Sequence, residues 1–342
     1  MKAWVIDRVS DLKNVSEPLK KRELPKPEPK EGELLLKVKV CGVCHTEIDE
    51  IEGRTPPPEY PVVPGHQVVG VVEETRAGGE IKVGDRVGVA WIFSACGECE
   101  FCRSGQENLC PDFLATGRDR NGGYAEYMCV PAKFAYLIPH VFSDAEAAPL
   151  LCAGAVGYRS LELCQPENGQ NMGLTGFGAS AHLVLKLIRY LYPDTRVYVF
   201  ARSENEREFA LELGAVWAGD TTKKPPVLLH SIIDTTPVWK PVLYALGCLK
   251  PGGRLVINAI RKEAQDNDIL SQLDYTTHLW MEKEVKSVAN VTRHDVNEVL
   301  RIAAEMKLKP STQNYAFNEA NRALTDIKQR KIKGGKVLLI NQ

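Results

Sequence analysis

The sequence predicts an α/β protein in which a partly closed antiparallel β-barrel precedes a doubly wound parallel sheet. Short β-branched runs separated by Pro and Gly fill roughly the first 150 residues, and strand-like runs alternate with helix-like runs after about residue 170. The length of 342 residues allows about two domains. We expect residues 1–152 to form the first domain, with 289–342 returning to it, and 153–288 to form the second.

The individual elements follow from the spacing of apolar residues. Strands of the first region are expected at 33–40, 67–73, 82–90 and 124–131. The second region should hold strands at 171–175, 196–201, 231–235 and 254–260, with helices at 182–191, 204–213 and 238–249. Later residues predict helices at 296–306 and 318–329 and a closing strand at 336–340.

Composition excludes several classes of function. The formal net charge is only -1, so the chain has no strong overall field to attract a nucleic acid or a membrane surface. No apolar run approaches the roughly 18 residues that span a bilayer, and the N-terminus lacks the apolar core of a secretory signal. We therefore expect a cytoplasmic protein. Its ten cysteines should be reduced, and several should bind metal.

Four of these cysteines, Cys96, Cys99, Cys102 and Cys110, are closely spaced in one loop. Four thiolates can complete a tetrahedron without an open position, as a structural zinc requires. The alternative of unliganded buried thiols is disfavoured, because the surrounding loop is polar. A zinc knuckle in a nucleic-acid-binding or redox-sensing protein is another alternative, but it would require a basic face.

A second set of candidate ligands suggests an open metal site. Cys44 and His66 supply a thiol and an imidazole, both of which zinc accepts, and a catalytic zinc keeps one position free for water or substrate. We propose Cys152 as the third ligand. The zinc-knuckle alternative leaves this second set unexplained.

The residues after the strand predicted at 171–175 favour dinucleotide binding. Gly176 and Gly178 lie in the turn Gly-Phe-Gly-Ala-Ser-Ala, which includes Ala179 and Ser180, and a helix is predicted to follow. Glycines let the backbone approach a pyrophosphate, which binds at the helix N-terminus. A simple loop is the alternative, but the repeated alternation of strands and helices disfavours it.

Five motifs in the right order resemble the zinc-dependent medium-chain alcohol dehydrogenases. They are CGVCHTE at 41–47, PGHQVVG at 64–70, CGECEFC at 96–102, LLCAGAVGY at 150–158 and GFGASA at 176–181. The resemblance implies a GroES-like barrel and a Rossmann domain, with two zinc ions per chain. It implies hydride transfer between an alcohol and NAD(P), with Cys44 rather than Cys41 as the ligand. Relatives are usually dimers or tetramers, which implies a homo-oligomer.

The resemblance also implies roles for residues near the predicted open metal site. Thr46 would accept the hydroxyl proton and begin a relay, and His45 would contact the cofactor pyrophosphate, although a relay or ligand role for His45 is an alternative. Glu47 would accept a hydrogen bond from the ligand His66. Many relatives end the relay in histidine where this chain has Asp49, so the relay ends differently or is shorter.

Three further positions concern the pocket. Val156 stands where relatives often place a threonine against the nicotinamide ring, which makes that surface more apolar. Trp91 resembles a bulky tryptophan that lines the substrate pocket, with a core tryptophan as the alternative. Gln67 replaces the usual acidic residue after the ligand histidine, so the site should be less negative and the pKa of a bound alcohol lower.

The end of the second predicted Rossmann strand favours NADP over NAD. Ala201, Arg202 and Ser203 stand where NAD enzymes place an acid, and Arg207 follows one helical turn later. A guanidinium binds phosphate in bidentate fashion, although a solvated arginine is the alternative.

The substrate is expected to be a small primary or aromatic alcohol and its aldehyde, because no basic residue is clearly placed to bind an acid. A polyol, a secondary alcohol or a hydroxyacyl-CoA are alternatives within the same superfamily. Zinc-free quinone or enoyl reductases share the fold, but Cys44, His66 and Cys152 disfavour them.

Overall fold

A computed structural model describes residues 1–329 and 334–341 of the chain. The chain divides into two compact units, one of Met1–Cys152 with Asn290–Gln342 and the other of Ala153–Ala289. None of the helices described has both the length and the apolar character needed to cross a bilayer.

The elements are as follows. The strands are β1 (Lys2–Ile6), β2 (Leu19–Glu23), β3 (Glu33–Val43), β4 (Val68–Thr75), β5 (Arg86–Val89), β6 (Ile92–Ser94), β7 (Leu114–Ala115), β8 (Tyr127–Pro131), β9 (Ala135–Leu137), β10 (Asn171–Thr175), β11 (Arg196–Phe200), β12 (Trp217–Gly219), β13 (Leu229–Asp234), β14 (Leu249–Ile257), β15 (Glu284–Ser287), β16 (Thr312–Ala316) and β17 (Gly335–Leu339). The helices are α1 (His45–Ile51), α2 (Glu100–Arg103), α3 (Asp144–Ala147), α4 (Ala153–Cys164), α5 (Ala179–Leu191), α6 (Glu204–Glu212), α7 (Trp239–Leu246), α8 (Tyr275–His278), α9 (Arg293–Glu305) and α10 (Ala320–Lys328).

Strand β3 is the centre of the first unit. It pairs antiparallel with β4, β8 and β17, in a sheet of order β16-β17-β3-β4-β5-β9 from which β8 branches. A bulge between Val38 and Val40 bends the strand, as bulges do where a sheet curves toward closure. The pairing of Leu338 with Cys41 returns the end of the chain to this sheet, directly before the Cys44 motif.

The second unit is a parallel sheet of order β12-β11-β10-β13-β14-β15. Its central strands β10 and β13 are almost entirely buried, as expected where helices cover both faces of a doubly wound sheet. The strand order reverses between β10 and β13, where Thr175 is paired with Asp234. The predicted fold class is therefore confirmed, a GroES-like barrel domain together with a Rossmann sheet.

Several predicted boundaries differ from the structure for local reasons. The strand predicted at 82–90 is shorter, since Lys82 and Asp85 close a turn through two hydrogen bonds before β5 begins. The helix predicted at 182–191 begins earlier, at the glycine turn itself. Helix α1 was not predicted, because only Ile48 and Ile51 of its seven residues are apolar, too few to establish a helical period.

Candidate functional site

Helix α1 begins at the Cys44 motif and fixes the position of its thiol. Cys44 is the N-cap residue, in extended conformation with φ of -124°. The Glu47 side chain turns back and accepts a hydrogen bond of 2.6 Å from the Cys44 backbone N–H. This contact satisfies the Cys44 N–H, a backbone donor that has no partner within the helix. It also orients Glu47, which is fully buried.

Cys44, His66 and Cys152 converge in the first unit although they are far apart in sequence. The Cys44 and Cys152 sulfurs are 4.0 Å apart, and His66 Nε2 is 3.3 Å from the Cys152 sulfur. All three donor atoms lie within 4.8 Å of one another. A tetrahedral zinc with two thiolates would place the sulfurs about 3.8 Å apart, so the spacing fits this metal.

The orientation of His66 also suits a metal ligand. Its Nδ1 lies 2.8 Å from Glu47 Oε1, in a contact with both side chains at most 2% exposed. Nε2 is therefore the nitrogen turned toward the two sulfurs. A ligand histidine usually donates its other ring N–H to a carboxylate, which fixes the tautomer and the ring plane.

Burial and close contact perturb the protonation of the three residues. The contact with Cys152, followed by His66, lowers the pKa of the Cys44 thiol well below its ordinary value. The same contact with Cys44, together with burial, raises the pKa of Cys152. Burial disfavours the imidazolium form of His66, but Glu47 and Cys44 outweigh it and raise the pKa of His66. Cys44 is therefore the member of the cluster in which the thiolate that a metal needs is most favoured.

Backbone packing holds the turn that carries His66. Gly65 has φ of 97°, and a Cβ atom there would lie 2.3 Å from the Tyr124 ring. A Cβ atom on Gly122 would lie 2.1 Å from the Gly65 carbonyl oxygen, and one on Gly117 would lie 2.7 Å from the Gly65 nitrogen. These three glycines allow a close approach of two backbones that side chains would prevent.

Trp91 lies beside the metal-ligand cluster. Its ring packs edge-on against His66, with ring centroids 6.5 Å apart. Phe113 packs against the other side of the tryptophan at 5.6 Å. Trp91 and Phe113 therefore form an aromatic surface next to the imidazole. The sequence predicted a role for Trp91 but not for Phe113.

The structure gives His45, Thr46 and Asp49 different surroundings. The Thr46 hydroxyl lies 3.5 Å from the Cys44 sulfur, whereas His45 is exposed. Asp49 is buried and forms an ion pair of 2.5 Å with Arg54. Thr46 therefore faces the metal-ligand cluster, whereas the Asp49 carboxylate contacts Arg54.

The four-cysteine loop forms a second cluster. The Cys96 sulfur lies 3.8 Å from that of Cys102 and 3.5 Å from that of Cys110. With Cys99, the four sulfurs are close enough to bind one ion. Backbone N–H groups of Glu98 and Cys99 lower the pKa of Cys96 to about 7, which favours the thiolate that a metal needs.

The glycine turn of the second unit lies between β10 and α5. Gly176 has φ of 76°, and its N–H donates to the Phe200 carbonyl on β11. Gly178 is the N-cap of α5, and a Cβ atom there would meet open space. The Ser180 hydroxyl donates to the Ala153 carbonyl. The side chain of Ala179 is outside the part of the chain that the structure describes.

The end of β11 carries basic side chains and has no acidic residue at positions 201–203, although the Glu206 carboxylate accepts from the Ser203 backbone N–H. Ala201 is buried, Arg202 is exposed, and Ser203 caps α6 by accepting from the Glu206 N–H. Arg207 donates to the carbonyls of Ala201 and Arg202, each at 2.9 Å. Its guanidinium is therefore held at the strand end.

Comparison with known proteins decides the family. Residues 30–140 match the family model described as the alcohol dehydrogenase GroES-like domain. A Mycobacterium tuberculosis protein named "Probable alcohol dehydrogenase AdhA" is 42% identical over 346 residues, which cover 99% of this chain and 97% of that protein. The chain belongs to the zinc-type medium-chain alcohol dehydrogenase family.

Solved structures agree with this alcohol dehydrogenase assignment. A thermostable alcohol dehydrogenase from Pyrobaculum aerophilum, determined with bound cobalt and zinc, superposes with a TM-score of 0.85 at 26% identity, covering 99% of both chains. A cinnamyl alcohol dehydrogenase from Sorghum bicolor gives 0.82 at 26% identity, covering 99% of this chain and 97% of that one. The family resemblance found in the sequence is confirmed, and the protein is an oxidoreductase of alcohols.

The dehydrogenase also has a buried acid that sequence reasoning missed. Glu50 follows Glu47 by one helical turn and is 1% exposed, and neither carboxyl oxygen has a hydrogen-bond partner among the described residues. Burial, followed by repulsion from Glu47, raises the pKa of Glu50 well above its ordinary value. The motif places Glu50 beyond the ligand and relay positions, so only its burial distinguishes it from a surface residue.

Proposed function

We propose that this enzyme is a zinc-dependent dehydrogenase that transfers a hydride between a small primary or aromatic alcohol and NAD(P), with NADP preferred. The observation that carries the proposal is the convergence of Cys44, His66 and Cys152, with Glu47 behind the imidazole. Two thiols and one imidazole leave the fourth tetrahedral position open, as a catalytic zinc requires.

The donor set supports zinc at this cluster. Cys44, His66 and Cys152 would hold it, and its positive charge would make an alcohol hydroxyl easier to deprotonate. The Thr46 hydroxyl, which lies 3.5 Å from the Cys44 sulfur, would accept that proton while it passes its own proton on to a relay. Glu47 keeps His66 in the tautomer whose Nε2 is free.

The four-cysteine loop supports a second, structural zinc. Cys96, Cys99, Cys102 and Cys110 supply four sulfurs and leave no position for substrate. Its role would be to stabilise the loop, since short polar segments of this kind bury little apolar surface.

Dinucleotide binding would use the carboxyl edge of the parallel sheet. Ligands of doubly wound sheets bind where the strand order reverses, and this is where Gly176 follows β10. Gly178 leaves open space at the N-terminus of α5, which suits a pyrophosphate. Ser180 and Val156 would line the same region, and His45 would supply a further contact to the pyrophosphate.

The preference for NADP rests on the end of β11. Ala201 and Ser203 leave the position free of a carboxylate that would repel a 2'-phosphate, and Arg202 is exposed there. Arg207 adds positive charge at the same strand end.

Aromatic contacts near His66 support a small primary or aromatic alcohol. Trp91 and Phe113 form an apolar surface beside the cluster, which suits a ring or a short chain better than a charged group. The Sorghum bicolor enzyme that shares the fold is described as acting on cinnamyl alcohol, an aromatic alcohol.

We also propose a homo-oligomer formed through β15. This strand is exposed along its length and pairs only with β14 within the described part of the chain. Tyr275 and Trp280 nearby in sequence are 60% and 52% exposed. Exposed strand edges and apolar patches favour association. Light scattering on purified protein would give a dimer or tetramer mass, and a monomer would contradict the proposal.

One experiment tests the activity. Purified enzyme is given a panel of primary, secondary, polyol and aromatic alcohols with NADP or NAD, and the reduced nicotinamide absorbance is followed. We expect kcat/KM to be highest for primary or aromatic alcohols with NADP. No reaction with any alcohol or aldehyde would contradict the proposal, and a higher kcat/KM with NAD would overturn the NADP preference.

A further inference from the structure

A buried ion pair lies at the carboxyl edge of the parallel sheet. The Lys262 ammonium contacts the Asp234 carboxylate, with the two side chains 8% and 0% exposed. Asp234 is the last residue of β13 and is paired with Thr175, the last residue of β10. The ion pair therefore lies at the reversal of strand order, where doubly wound sheets bind ligands.

The ammonium group of Lys262 has three acceptors. Besides Asp234, it donates to the Thr236 carbonyl at 2.7 Å and to the Val238 carbonyl at 3.2 Å. An ammonium has three donors, so all of them have partners: one is the Asp234 side chain, and two are backbone carbonyls of residues 235–238. Lys262 therefore holds the shape of this turn as well as pairing with a charge.

The 235–238 turn packs directly on the glycine turn. Thr235 donates from its backbone N–H and its hydroxyl to the Thr175 carbonyl, both at 2.9 Å. A Cβ atom on Gly176 would lie 2.8 Å from the Thr235 hydroxyl and 3.0 Å from a Thr236 methyl group. A shift of the turn would thus move the surface against which Gly176 rests.

Asp234 connects β10 to the 235–238 turn. Its carboxylate accepts from the hydroxyls of Thr175 and Thr236, at 2.5 and 2.7 Å. The segment after Lys262 adds further contacts, since Asp266 accepts from the Trp239 and Lys240 N–H groups at the start of α7. The 235–238 turn is therefore held from β10 on one side and from residues 262–266 on the other.

We infer that Lys262 is a positioning residue for the dinucleotide: it holds the 235–238 turn against Gly176 and so fixes the glycine turn that receives the pyrophosphate. The inference rests on the proposed function. Lys262 itself does not need to contact the cofactor, because its three donors are already occupied.

The test compares dinucleotide affinity with stability in four proteins. They are wild type, Lys262→Met, the double variant Asp234→Asn/Lys262→Met, and the control Lys223→Met, which removes an exposed lysine of the same unit. Dissociation constants for NADPH and NADH are measured by fluorescence titration, and melting temperatures and zinc contents are recorded. Zinc serves as a control, because both cysteine clusters belong to the other unit.

Lys262→Met should bind dinucleotide at least about tenfold more weakly and should melt earlier, since it leaves a buried carboxylate without its cation. The double variant removes both charges and should recover most of the melting temperature. Its dinucleotide affinity should remain about tenfold lower than that of wild type, because the contacts to the Thr236 and Val238 carbonyls are still missing. Lys223→Met should behave as wild type.

Recovery of both affinity and melting temperature in the double variant would overturn the inference, because Lys262 would then only neutralise a charge. Wild-type affinity in Lys262→Met would overturn it as well. Wild-type protein that binds neither dinucleotide would instead overturn the proposed function, and the inference with it.

Discussion

The Glu47 side chain contacts two residues of the metal-ligand cluster, Cys44 and His66. One oxygen accepts from the Cys44 N–H, and the other contacts His66 Nδ1. In Glu47→Gln the amide oxygen can keep the helix-capping contact while the negative charge is lost. We expect zinc affinity to fall roughly 10- to 100-fold, because the carboxylate behind a ligand histidine raises its basicity. Zinc retained during dialysis against graded chelator measures this.

The matched control is Glu52→Gln at the end of the same helix. Glu52 pairs with Lys328 and Arg54 instead of the cluster. Its zinc retention should equal that of wild type. Equal retention in Glu47→Gln would show that the contact with His66 has no effect on the metal.

Gln67 keeps a neutral group beside the ligand His66. The side chain is 6% exposed and packs on the backbone of Gly42, where a Cβ atom would lie 2.5 Å from its oxygen. In Gln67→Glu a carboxylate would make loss of a proton from the alcohol harder. The rise of oxidation rate with pH should therefore shift to higher pH, by roughly half to one unit.

Rate profiles of the two proteins between pH 5 and 10 measure this shift. The control Gln313→Glu places the same charge on an exposed position of β16, where solvent and salt screen it. Superimposable profiles for Gln67→Glu and wild type would contradict the account of Gln67.

At the scale of elements, Gly176 and Gly178 have different roles in the turn between β10 and α5. Gly176 has positive φ and close contacts, whereas Gly178 has φ of -91° and open space at its Cβ position. We expect Gly176→Ala to cost about 1–2 kcal/mol of unfolding free energy and to weaken dinucleotide binding. Gly178→Ala should keep its stability and lose only affinity, because its methyl group would occupy the approach to the pyrophosphate.

Denaturant unfolding and NADPH titration of both variants test this difference. Equal loss of stability in the two would contradict the distinct roles of the glycines.

The four-cysteine loop should behave as a separate metal-binding element. Residues 95–106, which include helix α2, are all partly or fully exposed, so the metal supplies much of the stability of the loop. Cys102→Ser should reduce zinc from two ions per chain to about one and lower the melting temperature by several degrees. Elemental analysis and calorimetry measure both. An unchanged zinc content would contradict a metal role for the loop.

Local sequence carries more information about some elements than about others. The strands around Gly176 and the four-cysteine loop were predictable, because periodicity and ligand spacing are local properties. The early start of α5 and the existence of α1 were not. In α1 the helix follows from the Cys44 cap and the burial of Glu47, whose carboxylate also contacts His66 outside the helix.

At the scale of the whole chain, the partners of buried charges could not be predicted. Lys262 lies 28 residues from Asp234, and nothing near either residue indicates the other. The three candidate metal ligands could be predicted over similar or longer separations only because family resemblance identified each motif.

The overall fold brings three ligand segments together. Cys44 follows β3, His66 precedes β4, and Cys152 ends the first stretch of the same unit, 108 residues from Cys44. Antiparallel pairing of β3 with β4 places the first two side by side. The site therefore depends on the folded sheet, and it should be lost on unfolding together with its metal.

Anomalous diffraction at the zinc edge from crystals of metal-replete protein tests this account most directly. The account predicts a zinc peak about 2.3 Å from the sulfurs of Cys44 and Cys152 and about 2.1 Å from Nε2 of His66. Metal-replete crystals without a zinc peak among these three side chains would contradict it.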